Sequence, residues 1–430
     1  MSMKKRFADI IWMVLMALML SGPKDLPAQN LSTSPYSRFG IGDMVNRSTG
    51  RSQAMGGLSC GLRSGTNLNL LNPASLSGID SMNFVFELAG FEKVTHFATS
   101  DLEKTVNNLG FAYLAMGFPI NKWWKASTGI LPLSNVGYSM TSTEVSPVMG
   151  KINYNFQGSG GVSQFFISSS ISPVKFLSLG ATFSYLFGPI SHTRSLVIPA
   201  DSLYFSTKSV QTAIVGDINF SYGAQVYIPL KKDIFITLGG TFQGKSNLNA
   251  ESRSTLISYG PGLTDTLVYT ENPKNSIILP MGWASGFTIS KRNKFTAGFD
   301  FRTQNWSESE FLGTKDSMAN SKDFIVGLEY IPNAYSLTRY LDRVRYRAGF
   351  RYSQSYLQLK GSQLTDLGIT FGAGFPILDR SGGRTQSSLN VILELGKRGT
   401  VKNDLIRETF GSLTLQLSLH DYWFIKRMYD

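Results

Sequence analysis

Three histidines, one cysteine and a short arginine run are the residues of this 430-residue chain that could carry chemistry. A hydrolase built into a β-sheet protein would need a Ser and a His within reach of each other on neighbouring strands. His96 and His192 fall in stretches that read as surface loops, and His420 falls on the polar face of the last strand. None of the three has a nucleophile at an informative spacing, so no enzymatic reaction is expected. Cys60 is the only cysteine, which excludes an internal disulfide and a cysteine metal cluster. Neither a metal nor another cofactor is expected. Arg345, Arg347 and Arg351 share one face of a strand-like run. They could attract a carboxylate or another anion, or they could pair with Glu329 and through it with Asp300. Glu329 and Arg347 fall on consecutive strands with the same orientation, which favours pairing.

The elements that must position these residues are strands. The chain is 42% hydrophobic but only 16% charged, with 42 glycines and 12% aromatics. A soluble globular protein carries about a quarter charged residues, and a helical membrane protein shows apolar runs of about 20 residues. No such run follows the N-terminus. What recurs instead is period-two alternation. In Val344 to Ser353 the residues Val344, Tyr346, Ala348, Phe350 and Tyr352 alternate with Arg345, Arg347, Gly349, Arg351 and Ser353. Leu177 to Phe187, Ile218 to Ile228, Phe295 to Gln304, Leu367 to Phe375, Leu389 to Leu395 and Leu413 to Leu419 behave alike. The polar faces hold Gly, Ser, Thr, Asn and Gln rather than the Lys and Glu of a water-facing sheet. That composition suits the lumen of a transmembrane barrel with its apolar face toward lipid.

Targeting agrees with that reading. Lys4, Lys5 and Arg6 precede an apolar core from Ile10 to Leu20, and Leu26-Pro27-Ala28 offers a cleavage site before Gln29. Residues 1–28 are therefore expected to be a signal peptide and the mature protein to sit in a bacterial outer membrane. The formal net charge of +12 falls by two on cleavage. A basic exported barrel invites contact with anionic lipid or lipopolysaccharide, and nucleic acid is excluded as a partner.

Turn signals divide the chain into about fourteen strands, beginning near Met82 and ending with one that begins near Leu413. Short connections at Pro119 to Trp124, Pro173 to Phe176, Pro229 to Phe235 and Lys291 to Phe295 read as periplasmic turns, as do Asn333 to Arg343 and Leu378 to Gln386. Polar stretches at Lys93 to Asn108, Thr141 to Gln157, Ser191 to Gln211, Asn247 to Lys274 and Ser307 to Lys322 read as surface loops. Trp123, Trp124, Tyr227, Tyr330, Tyr346 and Trp423 lie near turns and are expected to form an interfacial girdle. The expected fold is thus all-β, a transmembrane antiparallel barrel of about fourteen strands over residues 81–424. A periplasmic extension, 425–430, follows it. Residues 29–80 are irregular, Gly-rich and too apolar for a leader, and are expected to plug the periplasmic mouth as a hatch.

The irregular segment carries Ala54-Met55-Gly56-Gly57 and Asn72-Pro73-Ala74, the opening reads Ser34-Pro35-Tyr36-Ser37-Arg38-Phe39-Gly40-Ile41-Gly42 and the ending Trp423-Phe424-Ile425-Lys426-Arg427. An exported barrel of this strand count with these motifs resembles the long-chain fatty acid transporter (FadL) family, in its Bacteroidota-type branch. The likeness covers nearly the whole mature chain. The glycine that commonly follows the hatch motif in the family is Ser75 here. The resemblance implies a hatch that includes Gly56, Gly57, Asn72, Pro73 and Ala74. It further implies a barrel that binds a fatty-acid-like hydrophobic molecule and releases it sideways. A lateral opening would fall at the interruption that contains Pro132, Ser134 and Asn135, although Pro132 can equally mark a strand end. The alternative function is that of a non-transporting barrel subunit in an outer-membrane assembly or secretion complex, with other outer-membrane proteins or lipoproteins as partners. A general porin fits less well, because many inward small residues and a hatch make for a narrow, filled lumen.

Overall fold

The computed structural model describes residues 34–199, 204–231, 233–314, 318–377 and 386–422. The expected signal peptide at 1–28, most of the connection expected at Leu378 to Gln386 and the ending from Trp423 lie outside the described residues. Fourteen antiparallel strands run up and down: β1 (Asn83–Ala98), β2 (Glu103–Pro119), β3 (Trp124–Pro132, resumed at Ser134–Ser146) and β4 (Gly150–Gly160 and Ser163–Val174). They continue with β5 (Leu177–Val197), β6 (Ser206–Lys231), β7 (Ile234–Gln243 and Ser246–Gly260), β8 (Leu263–Leu279 and Gly282–Lys291) and β9 (Phe295–Gln304). The last five are β10 (Ser321–Tyr330), β11 (Arg345–Leu359), β12 (Ser362–Pro376), β13 (Ser388–Arg398) and β14 (Arg407–Tyr422). Pairing of β14 with β1, with His420 opposite Val85, closes the barrel.

Alternation decides what the two faces meet. On β14, Leu413, Leu415 and Leu419 are 42–46% exposed, whereas Thr414, Gln416 and Ser418 are at most 1% exposed. The apolar face therefore points outward in a chain whose described residues contain no helix long and apolar enough to cross a membrane. Such a band, on a sheet whose last strand pairs with its first, is the exterior of a membrane barrel. Short turns mark the periplasmic end, and the Asn333 to Arg343 connection carries a single 3-10 turn at Tyr340–Arg343.

The opposite end departs from expectation. Four of the five stretches read as surface loops are largely paired: Lys93 stands opposite Asn108, Thr141 opposite Asn155, His192 opposite Gln211 and Ser254 opposite Thr270. Above the bilayer both faces of a hairpin meet water, so Ser, Thr and Asn occur on both and the period-two signal vanishes while the ladder persists. Only Ser307 to Lys322 is irregular over much of its length.

At one level the wall bends. β3 breaks at Leu133, β4 at Gly161 and Val162, β7 at Gly244 and Lys245, and β8 at Pro280 and Met281. The consequence at β3 is a gap. The ladder from β2 to β3 runs only from Leu114 opposite Ile130 to Pro119 opposite Lys125, so Glu103 to Tyr113 of β2 have no strand on that side among the described residues. Above the break β3 turns instead to the two-residue strand Asp43–Met44, pairing Asn135 with Asp43 and Ser134 with Met44.

Candidate functional site

The N-terminal segment occupies the lumen along its length. Within the 29–80 segment expected to plug the periplasmic mouth, residues 50–78 pack against the lumenal wall toward that end and are called the hatch segment below. Residues 34–45 do not stay there; they lie near the other end, where Ser34 N–H donates to Gly137 O (3.1 Å) and the Ser34 hydroxyl donates to Glu408. Asn72 caps the 3-10 turn Pro73–Gly78. Its Oδ1 accepts from Ala74 N–H (3.1 Å) and its Nδ2 donates to Cys60 O (2.8 Å), with the residue fully buried. Ser75, in place of the family's glycine, donates its hydroxyl to Asn72 O (2.7 Å) and so closes the same turn from within. Gly56 and Gly57 have φ of +75° and +99°, the left-handed region that a side chain would strain. Gly56 N–H donates to Thr370 Oγ1 on β12 (2.9 Å). The wall accommodates this closeness: a methyl on Gly239 or Gly349 would overlap the hatch backbone at Cys60 or Gly56.

Charge fastens the hatch. Glu329 on β10 accepts from Arg347 Nε on β11 (2.7 Å) and from both ends of the Arg51 guanidinium on the hatch (3.0 and 2.6 Å). Arg347 also donates to Asn390 Oδ1 (2.6 Å). Asp300 does not join this network. Glu329 stands opposite Thr296, four residues along β9 from Asp300, which instead accepts Ser59 N–H (2.6 Å) and Cys60 N–H (2.9 Å). Arg351 forms a separate cluster with Glu394 (2.9 Å) and Asp366 (3.7 Å). Arg345 contributes its charge next to Glu329 but forms no ion pair within 4 Å among the described residues. On the far wall Glu87 accepts Leu68 N–H (2.9 Å) and Tyr113 O–H (2.9 Å), while Tyr113 accepts Gly50 N–H (2.9 Å). Arg51, Glu87 and Tyr113 were missed by sequence reasoning. Glu87 signalled itself only as a single inward acid on an otherwise neutral strand face, which names no partner, and Arg51 lies in an irregular segment with no face to read.

Between hatch and extracellular end lies a cavity of about 390 Å³. Asn108 and Ala112 on the unpaired edge of β2, and Leu131, Pro132 and Asn135 at the break of β3, form its side toward the gap. Ser134 lies at the same break but is buried, its hydroxyl donating to Ile41 O (2.7 Å). The rest mixes aromatic side chains, Phe91, Phe166 and Trp283 among them, with polar and charged ones. Arg351, Glu394 and Asp366 line it, as do Arg398 and its partner Asp43 (2.7 Å). Arg47 and Arg302 also face it; Arg47 donates to Gln164 Oε1 (3.3 Å), and burial, with Arg302 nearby, lowers its guanidinium to about 10.

Above the cavity the lumen is closed by apolar packing. Tyr36, Ile41, Leu133, Val136, Leu186, Ile190, Leu248, Ile277, Trp306 and Leu357 belong to one buried cluster that joins the N-terminal segment to strands from β3 to β11. Tyr36 O–H donates to Ile406 O (2.6 Å) and accepts Ile406 N–H (2.9 Å). His192, expected in a loop, is buried here on β5 against Tyr138 O–H (2.8 Å). His420 faces inward at the other end, and His96 lies exposed beside Thr105. Of the expected girdle, Trp123, Trp124, Tyr330 and Tyr346 are outward and exposed, whereas Tyr227 turns into the periplasmic mouth with its ring 5.0 Å from Phe235. Period-two counting puts Tyr227 on the face of buried Gln225, so its place near a turn misled.

A barrel of this strand number with a lumenal N-terminal hatch is matched over residues 3–430 by the BamG family model. The chain belongs to the BamG family. No curated protein matches it in sequence. Solved structures show the fold of this BamG-family barrel to be that of FadL-type channels. The toluene transporter TodX of P. putida is 13% identical with a TM-score of 0.59, covering 89% of this chain and 100% of its own. A FadL homologue of Pseudomonas aeruginosa is 13% identical with a TM-score of 0.57, over 88% of this chain and 99% of that one. The toluene transporter TbuX of Ralstonia pickettii, also 13% identical, has a TM-score of 0.54, over 87% and 98%.

Proposed function

We propose that this protein is a sealed outer-membrane barrel, a non-transporting subunit of an outer-membrane protein assembly that reuses a channel fold. The observation that carries the reading is the double closure of the lumen, by a hydrogen-bonded hatch below and an apolar core above. The space left between them mixes aromatic side chains such as Phe91, Phe166 and Trp283 with four arginines and several carboxylates, and a hydrophobic molecule seated there would desolvate those charges. Planar-bilayer recording tests it. The intact protein should pass no resolvable current, and removal of 31–71 should open a conductance. A steady conductance from the intact protein would overturn the reading, and unchanged silence after the deletion would remove the N-terminal segment, which contributes to both closures, as its cause.

A second reading rests on the gap beside β3 and on the Arg47 and Arg302 pair facing the same cavity. Here a fatty-acid-like molecule would present its carboxylate to the two arginines and leave sideways past Pro132 and Asn135. Laurate uptake into vesicles that carry the protein, lost in Arg47→Gln with Arg302→Gln, would favour this reading over the first. No uptake above protein-free vesicles would dismiss it.

A further inference from the structure

The two ends of the barrel differ in how they treat charge. On the extracellular hairpins opposite charges meet, as in Lys245 with Glu308, Arg253 with Glu271 and Lys360 with Asp404. At the periplasmic mouth a pocket of about 310 Å³ lies between hatch and wall, with Arg63, Lys175, Arg292, Tyr227 and Phe235 among its lining and no carboxylate. Among the described residues none of these three cations forms an ion pair. Arg63 is held in place: it donates to Ser178 Oγ (3.1 Å) and to Ser77 O (3.0 Å), and its guanidinium lies 5.8 Å from the centre of the Tyr227 ring. Lys122, Lys231 and Arg339 add further cations on other periplasmic turns, against Asp80, Asp233, Asp342 and Asp421 at the same end.

Resting on the reading of the protein as an assembly subunit, we infer that this mouth is a docking site for an acidic segment of a periplasmic partner protein, whose carboxylates enter the pocket. Three convergent cations, one of them fixed by the hatch, offer bidentate and point-charge recognition of carboxylates, and the two aromatic rings supply apolar contact for the side chain that carries them. A lipid headgroup fits less well. The pocket is walled by inward-facing residues and by the hatch, while the neighbouring lipid-facing residues Phe176 and Leu230 lie on the outside of the barrel. A headgroup would have to leave its leaflet and bend into the mouth. Cations spread over several turns also suit an extended chain better than a single small anion.

The full protein in nanodiscs of neutral lipid tests this, with a fluorescent peptide of about ten glutamates as probe and the matching glutamine peptide as control. Binding by anisotropy at low salt is expected for the glutamate peptide alone. It should weaken about tenfold in Arg63→Gln with Lys175→Gln and Arg292→Gln, and by less in the rim variant Lys122→Gln with Arg339→Gln. Because Arg63 touches the hatch, Lys175→Gln with Arg292→Gln is measured beside the triple variant and should give part of the same loss. Equal binding of both peptides, or equal losses in the pocket and rim variants, would overturn the inference. So would displacement of the peptide by inorganic phosphate or by phosphatidylglycerol vesicles at lower charge concentration than free glutamate peptide, which would make the pocket a phosphate or headgroup site. Bilayer recordings on the same preparations report separately on whether the barrel is sealed, so docking can fail while the sealed reading stands, and the reverse.

Discussion

The lower and upper seals of this lumen are built on different physics. The hatch is held by directional bonds to single charged groups: Glu329 to Arg51 and Arg347, and Asp300 to the backbone of Ser59 and Cys60. The extracellular half is held by volume, a cluster in which Ile190 and Leu357 are at most 1% exposed. The difference follows from what each seal meets. Lumenal strand faces are polar because the other face must be apolar for lipid, so a segment lying in the barrel must satisfy polar groups one by one. Above the bilayer that constraint lifts, and the inward faces of β3 to β8 can be apolar. A polar seal should therefore fail by loss of one group, and an apolar seal should yield gradually.

The largest effect is expected from Glu329→Ala. Removing the carboxylate leaves two buried guanidinium groups with no counter-charge, a loss of roughly 3–5 kcal/mol. The temperature at which the folded band converts to the unfolded one in SDS gels should fall accordingly. Arg347→Ala in the same background should cost less than it does alone, since it removes one of the stranded cations; simple additivity would argue that the two side chains are not coupled in the membrane. Asp300→Ala comes next. Ser59 and Cys60 would each lose the acceptor of a buried N–H, which costs roughly 1–3 kcal/mol per group when unsatisfied. Its signature is local: hydrogen exchange at 57–62 should quicken while the extracellular cluster stays protected.

How much of this was legible in the sequence follows the same division. Alternation fixed the barrel, its strand number and the inward side of Arg347 and Glu329, because period two is a local property of each strand. It could not bring in Arg51, whose position depends on how an irregular segment with seven glycines from Gly40 to Gly65 folds against the wall. It placed Asp300 in the wrong company, since sharing an inward face says nothing of height along the barrel, and height is set by register. The break at Pro132 was visible; the gap beside it was not, because whether β2 and β3 part company depends on where β3 goes afterwards, toward Asp43 and Met44. The apolar upper core was also hidden. Its residues come one or two at a time from β3, β5 to β8, β11 and β12 and from Tyr36 and Ile41, and stretches rich in Ser and Thr masked them.

Two milder changes sharpen the contrast. Ile190→Val removes one methylene from a fully buried position in the upper cluster and should cost about 1 kcal/mol, with neither bilayer silence nor hatch exchange altered. Alkylation of Cys60 is the smallest effect of all, because in the intact protein none is expected. Burial, reinforced by the Asp300 carboxylate, pushes this thiol well above its ordinary value, so the thiolate is scarce at neutral pH. Raising the pH to about 9 would speed labelling of an exposed cysteine roughly in step with its ionisation, but here the rate should stay set by opening of the hatch. In Asp300→Ala labelling should accelerate, since both the bonds that close the hatch over Cys60 and the adjacent negative charge are gone. In Ile190→Val it should not change. Faster labelling in Ile190→Val would mean that the two seals open together, and the lumen would then be one cooperative plug rather than two.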